Sequence, residues 1–345
     1  MTGRFSLVVC YTWSVHDNQK KERLVAICFR SALLALVTST LFLVPGSSLA
    51  DEHEQQKAVL VTGATSGIGL RIAERLASEG YFVYAGARKQ EDIERLNKMD
   101  NIEAVRLDVT VQDDIDAAVA HIRGAGRGLW GLINNAGVFI GGPVTEVSIE
   151  ETMWLFDVNV FGVYRVTQAF APMIIESQGR ISTIGSISGI GSGRFFSQYS
   201  MSKHAMEAFT DSLAIEMERF GVSVSVIEPG NYDSKIVETA WKRMRDKGYI
   251  DEDSPYAEDF KAFLEWPADR SVYKEPDEVA DAALHAMFSD KPKRRYMTVP
   301  NEGEARWAIG SMIRELAELN DWQAYSFSRE ELMTMLDEAM AGETE

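Results

Sequence analysis

The sequence predicts an α/β fold, a doubly wound parallel sheet of Rossmann-like type with helices on both faces in a single domain. Three observations carry this. Short β-branched apolar runs alternate with amphipathic helical stretches from about residue 57 onward, the rhythm of βαβ units. The runs are near-continuous, as in Val59-Leu60-Val61, which suits strands covered on both faces. A glycine-rich turn, Thr62 to Gly69, joins the first run to the first helix.

In chain order, residues 57–61 read as the first strand and 67–78 as the helix after the turn. A second strand is expected at 81–87, followed by a helix over about 91–99. Residues 103–107, 131–134, 179–184 and 222–227 supply four more strands, each separated from the next by enough chain for a helix. A less regular stretch, about 231–273, then breaks the alternation and is read as a lid over the carboxyl ends of the strands, where such sheets bind ligands. Helix follows, then a short strand at 295–299 and a polar amphipathic region from Glu302 onward. The catalytic domain therefore spans 51–300, with a helical C-terminal extension at 301–345.

The 345 residues, 46% hydrophobic and 25% charged, can bury an ordinary core. A formal net charge of −17 counts against nucleic acid as a partner, since phosphate backbones call for clustered Lys and Arg. The two cysteines, Cys10 and Cys28, both precede the domain, so its body has neither a disulfide framework nor a Cys-based metal site. The histidines at 16, 53, 121, 204 and 285 lack metal-ligand spacing, and no metal is expected.

Residues 1–50 read as a signal peptide or an N-terminal membrane anchor. Lys20, Lys21, Arg23 and Arg30 precede an apolar run at 31–44, and Ser48-Leu49-Ala50 gives a small-x-small pattern. The run is shorter than the roughly 20 residues of a full span, although tilt or flanking residues extend such segments. Asp51, Glu52 and Glu54 follow it, so the positive-inside rule places the domain on the far side. The expectation is an exported or membrane-anchored protein, with membrane association through residues 31–50. The alternative is a start further downstream and a cytoplasmic protein.

Thr62-Gly63-Ala64-Thr65-Ser66-Gly67-Ile68-Gly69 has the spacing G-x-x-x-G-x-G and opens a helix after a strand. Backbone N–H groups and a helix N-terminus there can receive a pyrophosphate, although such turns also arise for steric reasons alone. At the end of the second strand, Gly86-Ala87-Arg88-Lys89 lacks the acidic group that accepts ribose hydroxyls and offers two cations. NADP(H) is favoured over NAD(H), with Arg88 the better match to a 2′-phosphate through its planar fork. A solvated basic turn is the alternative, and Glu91 and Asp92 leave room for NAD.

Tyr199 and Lys203 stand four apart in a helical-looking stretch and should share one face. A phenol is a poor base near neutral pH, and a nearby ammonium stabilises the phenolate. By itself the spacing equally describes a surface i, i+4 pair.

Together with Asn134-Asn135-Ala136-Gly137, Asn159, Ser186 and Pro229-Gly230, these segments resemble the short-chain dehydrogenase/reductase family, in its shorter, single-domain branch. The resemblance runs from about 57 to 299, with the motifs in family order. It implies that Gly63, Ser66, Gly67, Ile68 and Gly69 line the cofactor phosphates, that Asp108 lies beside the adenine, and that Asn135 and Gly137 shape the cofactor wall. It makes Ser186, Tyr199, Lys203 and Asn159 the catalytic set, Asn159 through a local distortion of its helix. Pro229 and Gly230 lead to Ser234, a hydroxyl where the family usually has threonine, here among the polar neighbours Asn231, Asp233 and Lys235. The mechanism implied is hydride transfer between a nicotinamide and a substrate carbon. Tyr199 acts as general acid/base, Ser186 stabilises the substrate oxygen, and Lys203 lowers the tyrosine pKa and binds the ribose. The resemblance also implies a homo-oligomer.

The lid holds Tyr232, Trp241, Tyr249, Tyr256, Phe260, Phe263 and Trp266, an aromatic load that suits a lipophilic alcohol, ketone or aldehyde. The same residues would equally serve to pack the lid on the body. Two other functions use this fold. A non-catalytic NADP-binding sensor or interaction protein is disfavoured by the intact Ser186, Tyr199, Lys203 and Asn159. Sugar-nucleotide epimerases and dehydratases resemble a longer chain with G-x-x-G-x-x-G, unlike Gly63, Gly67 and Gly69.

Overall fold

A computed structural model describes residues 56–249, 252–265 and 273–342; the segment 1–50 and Trp266 lie outside them. Seven parallel strands form one sheet in the order β3-β2-β1-β4-β5-β6-β7. They are β1 (Ala58–Val61), β2 (Phe82–Ala87), β3 (Ile102–Arg106), β4 (Gly131–Asn134), β5 (Arg180–Ile184), β6 (Ser223–Pro229) and β7 (Arg295–Thr298). The order reverses between β1 and β4, where Val61 pairs with Ile133, and a crevice opens beyond the carboxyl ends of these two strands.

Period-two alternation explains the continuous apolar runs. Val59 and Val61 enter one core layer with Ile72, Leu76, Val83 and Val279, beneath α1 (Gly67–Ser78) and α9 (Asp277–Phe288). Ala58 and Leu60 enter the other with Tyr84, Ile115, Phe170 and Val224, beneath α3 (Gln112–Gly124), α5 (Val163–Ser177) and α6 (Ser197–Glu218). Between β2 and β3 lies α2 (Gln90–Leu96). The second helix of the sequence reading thus ends three residues early, where Asn97 caps it and its side chain accepts from Ala104 N at 2.7 Å.

α4 (Ile149–Phe156) runs into α5 through a π-helical turn, Asp157–Gly162. Residues 231–273, expected to be irregular, contain two helices, α7 (Ile236–Asp246) and α8 (Ala257–Leu264). Val237, Ala240, Trp241 and Met244 fall at i, i+3, i+4 and i+7 and pack on Phe139, Phe195 and Phe260. The stripe is only four residues long between charged neighbours, which is why it escapes a reading of the sequence.

Two further helices follow β7. α10 (Glu302–Asp321) buries Ala308 and Ser311 and leaves Ile309, Met312, Ile313 and Leu316 exposed, whereas α11 (Arg329–Ala341) buries no residue. Among the described residues no helix is long and apolar enough to cross a membrane.

Candidate active site

The crevice is built first by the ends of β1 and β4. Thr62 N donates to Ile133 O at 3.0 Å, and the Thr62 hydroxyl accepts from Asn135 N at 2.9 Å and Ala136 N at 3.0 Å. The Asn135 amide donates back to Thr62 O at 2.9 Å and Gly63 O at 3.1 Å. This lacing fixes the glycine turn. Gly63 (φ +64°) and Gly67 (φ +54°) sit in the left-handed region, and a Cβ on Gly63 would lie 2.9 Å from Ala136 Cα. A side chain on Gly69 would run into the Asn135 amide, and a Cβ on Gly67 would stand 3.1 Å from Ser234 Cβ. Ser66, extended at the N-cap of α1, makes no capping bond with its hydroxyl. The first N–H groups of α1 and the positive end of its dipole therefore face the crevice.

Beyond β2, Arg88 and Lys89 line the same crevice. The Arg88 side chain is 68% exposed and its Nη1 lies 3.6 Å from Asp108 Oδ2. Asp108 accepts from the Thr110 N–H at 3.0 Å and hydroxyl at 2.7 Å. Burial works against its charge, but these bonds and Arg88 hold its carboxyl below the usual range. Arg95 is a residue the sequence reading missed. It lines the crevice from α2, donates to Thr65 O at 2.6 Å and pairs with Asp92 at 2.9 Å. Its signal was weak: Asp92 and Arg95 share a helix face, but nothing local shows that this face meets the phosphate loop.

The chemical end is built by β5 and α6. Ser186, just past β5, is extended and caps the short turn Ile187–Gly189, accepting from Ser188 N at 3.1 Å. On α6, Tyr199 and Lys203 share the face toward the crevice, and Lys203 Nζ lies 5.6 Å from the Tyr199 ring centre while donating to Ile184 O at 2.8 Å. Burial of its hydroxyl pushes the Tyr199 phenol up to about 12, and a hydrogen bond with Ser186 opposes the shift. Burial likewise pushes the Lys203 ammonium down to about 8, with Glu207 opposing. Burial is thus the largest influence on both groups, and Ser186 is the neighbour that holds the phenol down.

Asn159 stands in the π-helical turn, so the expected helix distortion is present. Its Oδ1 accepts from Val138 N at 2.8 Å, and its amide donates to Val138 O at 2.9 Å and Ser202 Oγ at 3.1 Å. It braces the segment after β4 against α6, and it alone of the site residues read from the sequence does not line the crevice.

Gly63, Ser66, Gly67, Ile68, Gly69, Asn135, Gly137, Ser186, Pro229, Gly230 and Ser234 line one continuous cleft of about 1340 Å³ with Arg88, Asp108, Tyr199 and Lys203. Its far end is walled by Phe139, Trp154, Phe196, Ile236, Val237 and Ala240. Of the lid aromatics Tyr232 lines the cleft, whereas Trp241 and Phe260 are buried beneath its wall. Arg243 closes that end over the Trp154 ring, held by Glu151 at 2.6 and 2.9 Å. α10 also enters the cleft through Gly303, Glu304 and Trp307. Glu304 accepts from Asn231 N at 2.7 Å, and a side chain on Gly230 would collide with its carboxylate. The spacing Asn301-x-x-Glu304 marks a helix start in the sequence but not where that start lands.

The glycine cradle, the uncapped helix start and the cations past β2 fit a dinucleotide. The model of a family described as short chain dehydrogenase matches residues 57–245. A mitochondrial D-β-hydroxybutyrate dehydrogenase of Bos taurus is 40% identical over 186 residues, covering 51% of this chain and 54% of that enzyme. A 3β-hydroxysteroid dehydrogenase of Caenorhabditis elegans is 34% identical over 262 residues, covering 70% and 68%. Among solved structures, a short chain dehydrogenase/reductase from Burkholderia phymatum in complex with NAD superposes with a TM-score of 0.64 at 26% identity, covering 79% of this chain and 98% of that one.

Proposed function

The chain belongs to the short-chain dehydrogenase family of nicotinamide-dependent oxidoreductases acting on CH–OH groups, and from that premise we propose that Tyr199 is the proton donor and acceptor for a lipophilic alcohol, ketone or aldehyde. The observation that carries this is the place of the Tyr199 hydroxyl, beside Ser186 and between the glycine cradle and the apolar end of one cleft. A bound nicotinamide supplies or accepts the hydride. Ser186 holds the substrate oxygen against Tyr199, which exchanges a proton with it. Lys203 binds the ribose and supplies positive charge to the phenolate, and Asn159 holds α6 in register with the wall of the cleft. Tyr199→Phe is expected to abolish turnover and leave nucleotide binding within about twofold, read by fluorescence titration; unchanged turnover would overturn the assignment.

The cofactor favoured is NADP(H), supported by Arg88 where a ribose-binding carboxylate would otherwise stand, and by Arg95 on the same cleft. A lipophilic substrate is supported by the Phe139, Trp154 and Phe196 walls, and by the pairing of Arg243 with Glu151 at that end of the cleft. The hydroxysteroid relative points the same way. In a substrate panel hydrophobic carbonyls should exceed small polar ones in kcat/KM, and the opposite order would exclude the lipophilic reading. Attachment or export through residues 31–50 belongs to the same proposal, and mass spectrometry of the native N-terminus tests it.

A further inference from the structure

A second set of ionisable groups stands behind Lys203, outside the cleft. Glu207 is one helical turn beyond Lys203 on α6, and Glu228 precedes Pro229 on β6. Their side chains are 15% and 4% exposed, and the two carboxyl groups lie within hydrogen-bonding reach of each other. Both face Arg295 Nε, at 3.4 Å from Glu207 and 3.7 Å from Glu228, while Arg295 Nη2 holds Asp211 at 2.8 Å. The other oxygen of Glu207 lies under the segment that carries Ser186. A Cβ on Gly185 or Gly189 would stand 3.1 Å from that Oε1, which meets no donor among the described residues.

The charged groups facing the pair come from three elements: Lys203 and Asp211 on α6 beside Glu207, Glu228 on β6, and Arg295 on β7. Two cations thus meet three carboxyl groups. Arg295 and Asp211 are 42% and 44% exposed, so water answers much of their charge, whereas Glu207 and Glu228 are buried against each other, and a proton held between them removes one of two adjacent like charges. Burial raises both carboxyls above their ordinary range, and the charge of Glu207 adds to the rise of Glu228, so the two hold one proton in a hydrogen bond between them. The single negative charge left on the pair lies one helical turn from Lys203, and negative charge on Glu207 opposes the neutralisation of Lys203 by burial.

We propose that Glu207 and Glu228 form a carboxyl pair that shares one proton and acts as a positioning unit for the catalytic centre, its single negative charge keeping the buried Lys203 protonated. The role given to the pair rests on the reading of Lys203 as the partner of Tyr199, whereas the shared proton does not.

Two measurements on the full chain test the two parts. A carboxyl whose folded pKa is raised stabilises fully below its unfolded value near 4.5, and that stability is lost as pH rises through about 8. The melting temperature should therefore decline across that window, and Glu228→Gln, which keeps the hydrogen-bonded shape without a titrating proton, should remove part of the decline. An identical decline in both proteins would overturn the shared proton. Glu207→Gln should move the alkaline limb of the kcat profile for alcohol oxidation, where Lys203 gives up its proton, downward by about one pH unit, and Glu207→Asp should bring it back toward wild type. A limb unmoved by Glu207→Gln would overturn the link to Lys203. If instead Tyr199→Phe retained turnover, the catalytic reading would fail while the melting result for Glu228 stood.

Discussion

Burial sets Tyr199 and Lys203 against their charged forms, and the site answers with single, well-placed neighbours. Ser186 restrains the rise of the Tyr199 pKa and Glu207 restrains the fall of that of Lys203. At the other end of the cleft the Arg88 side chain is 68% exposed, so its removal should cost binding without costing the fold. Arg88→Ala is expected to weaken NADP(H) by about ten- to a hundredfold, the worth of one charge-assisted hydrogen bond, with NAD(H) changed little. Parallel titration with the two nucleotides checks it. Gly63→Ala should lose nucleotide affinity and stability together, since a Cβ meets Ala136 while φ is +64°; a melting curve unchanged from wild type would contradict this. Ser186, Tyr199 and Lys203 were marked in the sequence by the family resemblance, the spacing of Tyr199 and Lys203 by itself describing a surface pair equally well. Arg95 was not, because its acceptor, Thr65 O, lies 30 residues away.

Among the elements, α7 shows how the apolar end of the cleft is supported. Trp241 is 1% exposed, and its ring lies 5.8 Å from that of Phe139, which in turn meets Tyr199 edge-on at 5.1 Å. Trp241→Ala should cost about 3–5 kcal/mol, the usual range for a buried aromatic, read as a lower denaturant midpoint. A loss below about 1 kcal/mol would mean that the wall is held by other contacts. The strands were legible because buried parallel strands announce themselves as apolar runs. The helices of 231–273 were not, because so short a stripe competes with the charged residues around it. The π-helical turn at Asp157–Gly162 falls between these cases: the family resemblance marked Asn159, while the surrounding residues carry no periodic sign of an added residue.

At the scale of the whole molecule, the cleft is closed by a helix from beyond the expected domain limit. α10 rests on the segment after Ser186, where a Cβ on Gly191 would stand 3.1 Å from the Trp307 ring, and it reaches Asn231 through Glu304. Trp307→Ala should raise KM for hydrophobic substrates more than it lowers kcat; a pure kcat loss would separate this wall from substrate. The doubly wound sheet was legible from the rhythm of the chain, but which distant pieces meet at its rim was not, since Thr62 reaches Ile133 and Asn231 reaches Glu304. That lacing has a consequence for how the protein comes into being. Long-range parallel pairing is slow to form, and a chain is made from its N-terminus. The glycine turn emerges early yet has no Asn135 to hold it until β4 is made, and the last wall of the cleft arrives only with α10. During synthesis, nucleotide therefore has no finished site to stabilise until nearly the whole chain has been assembled.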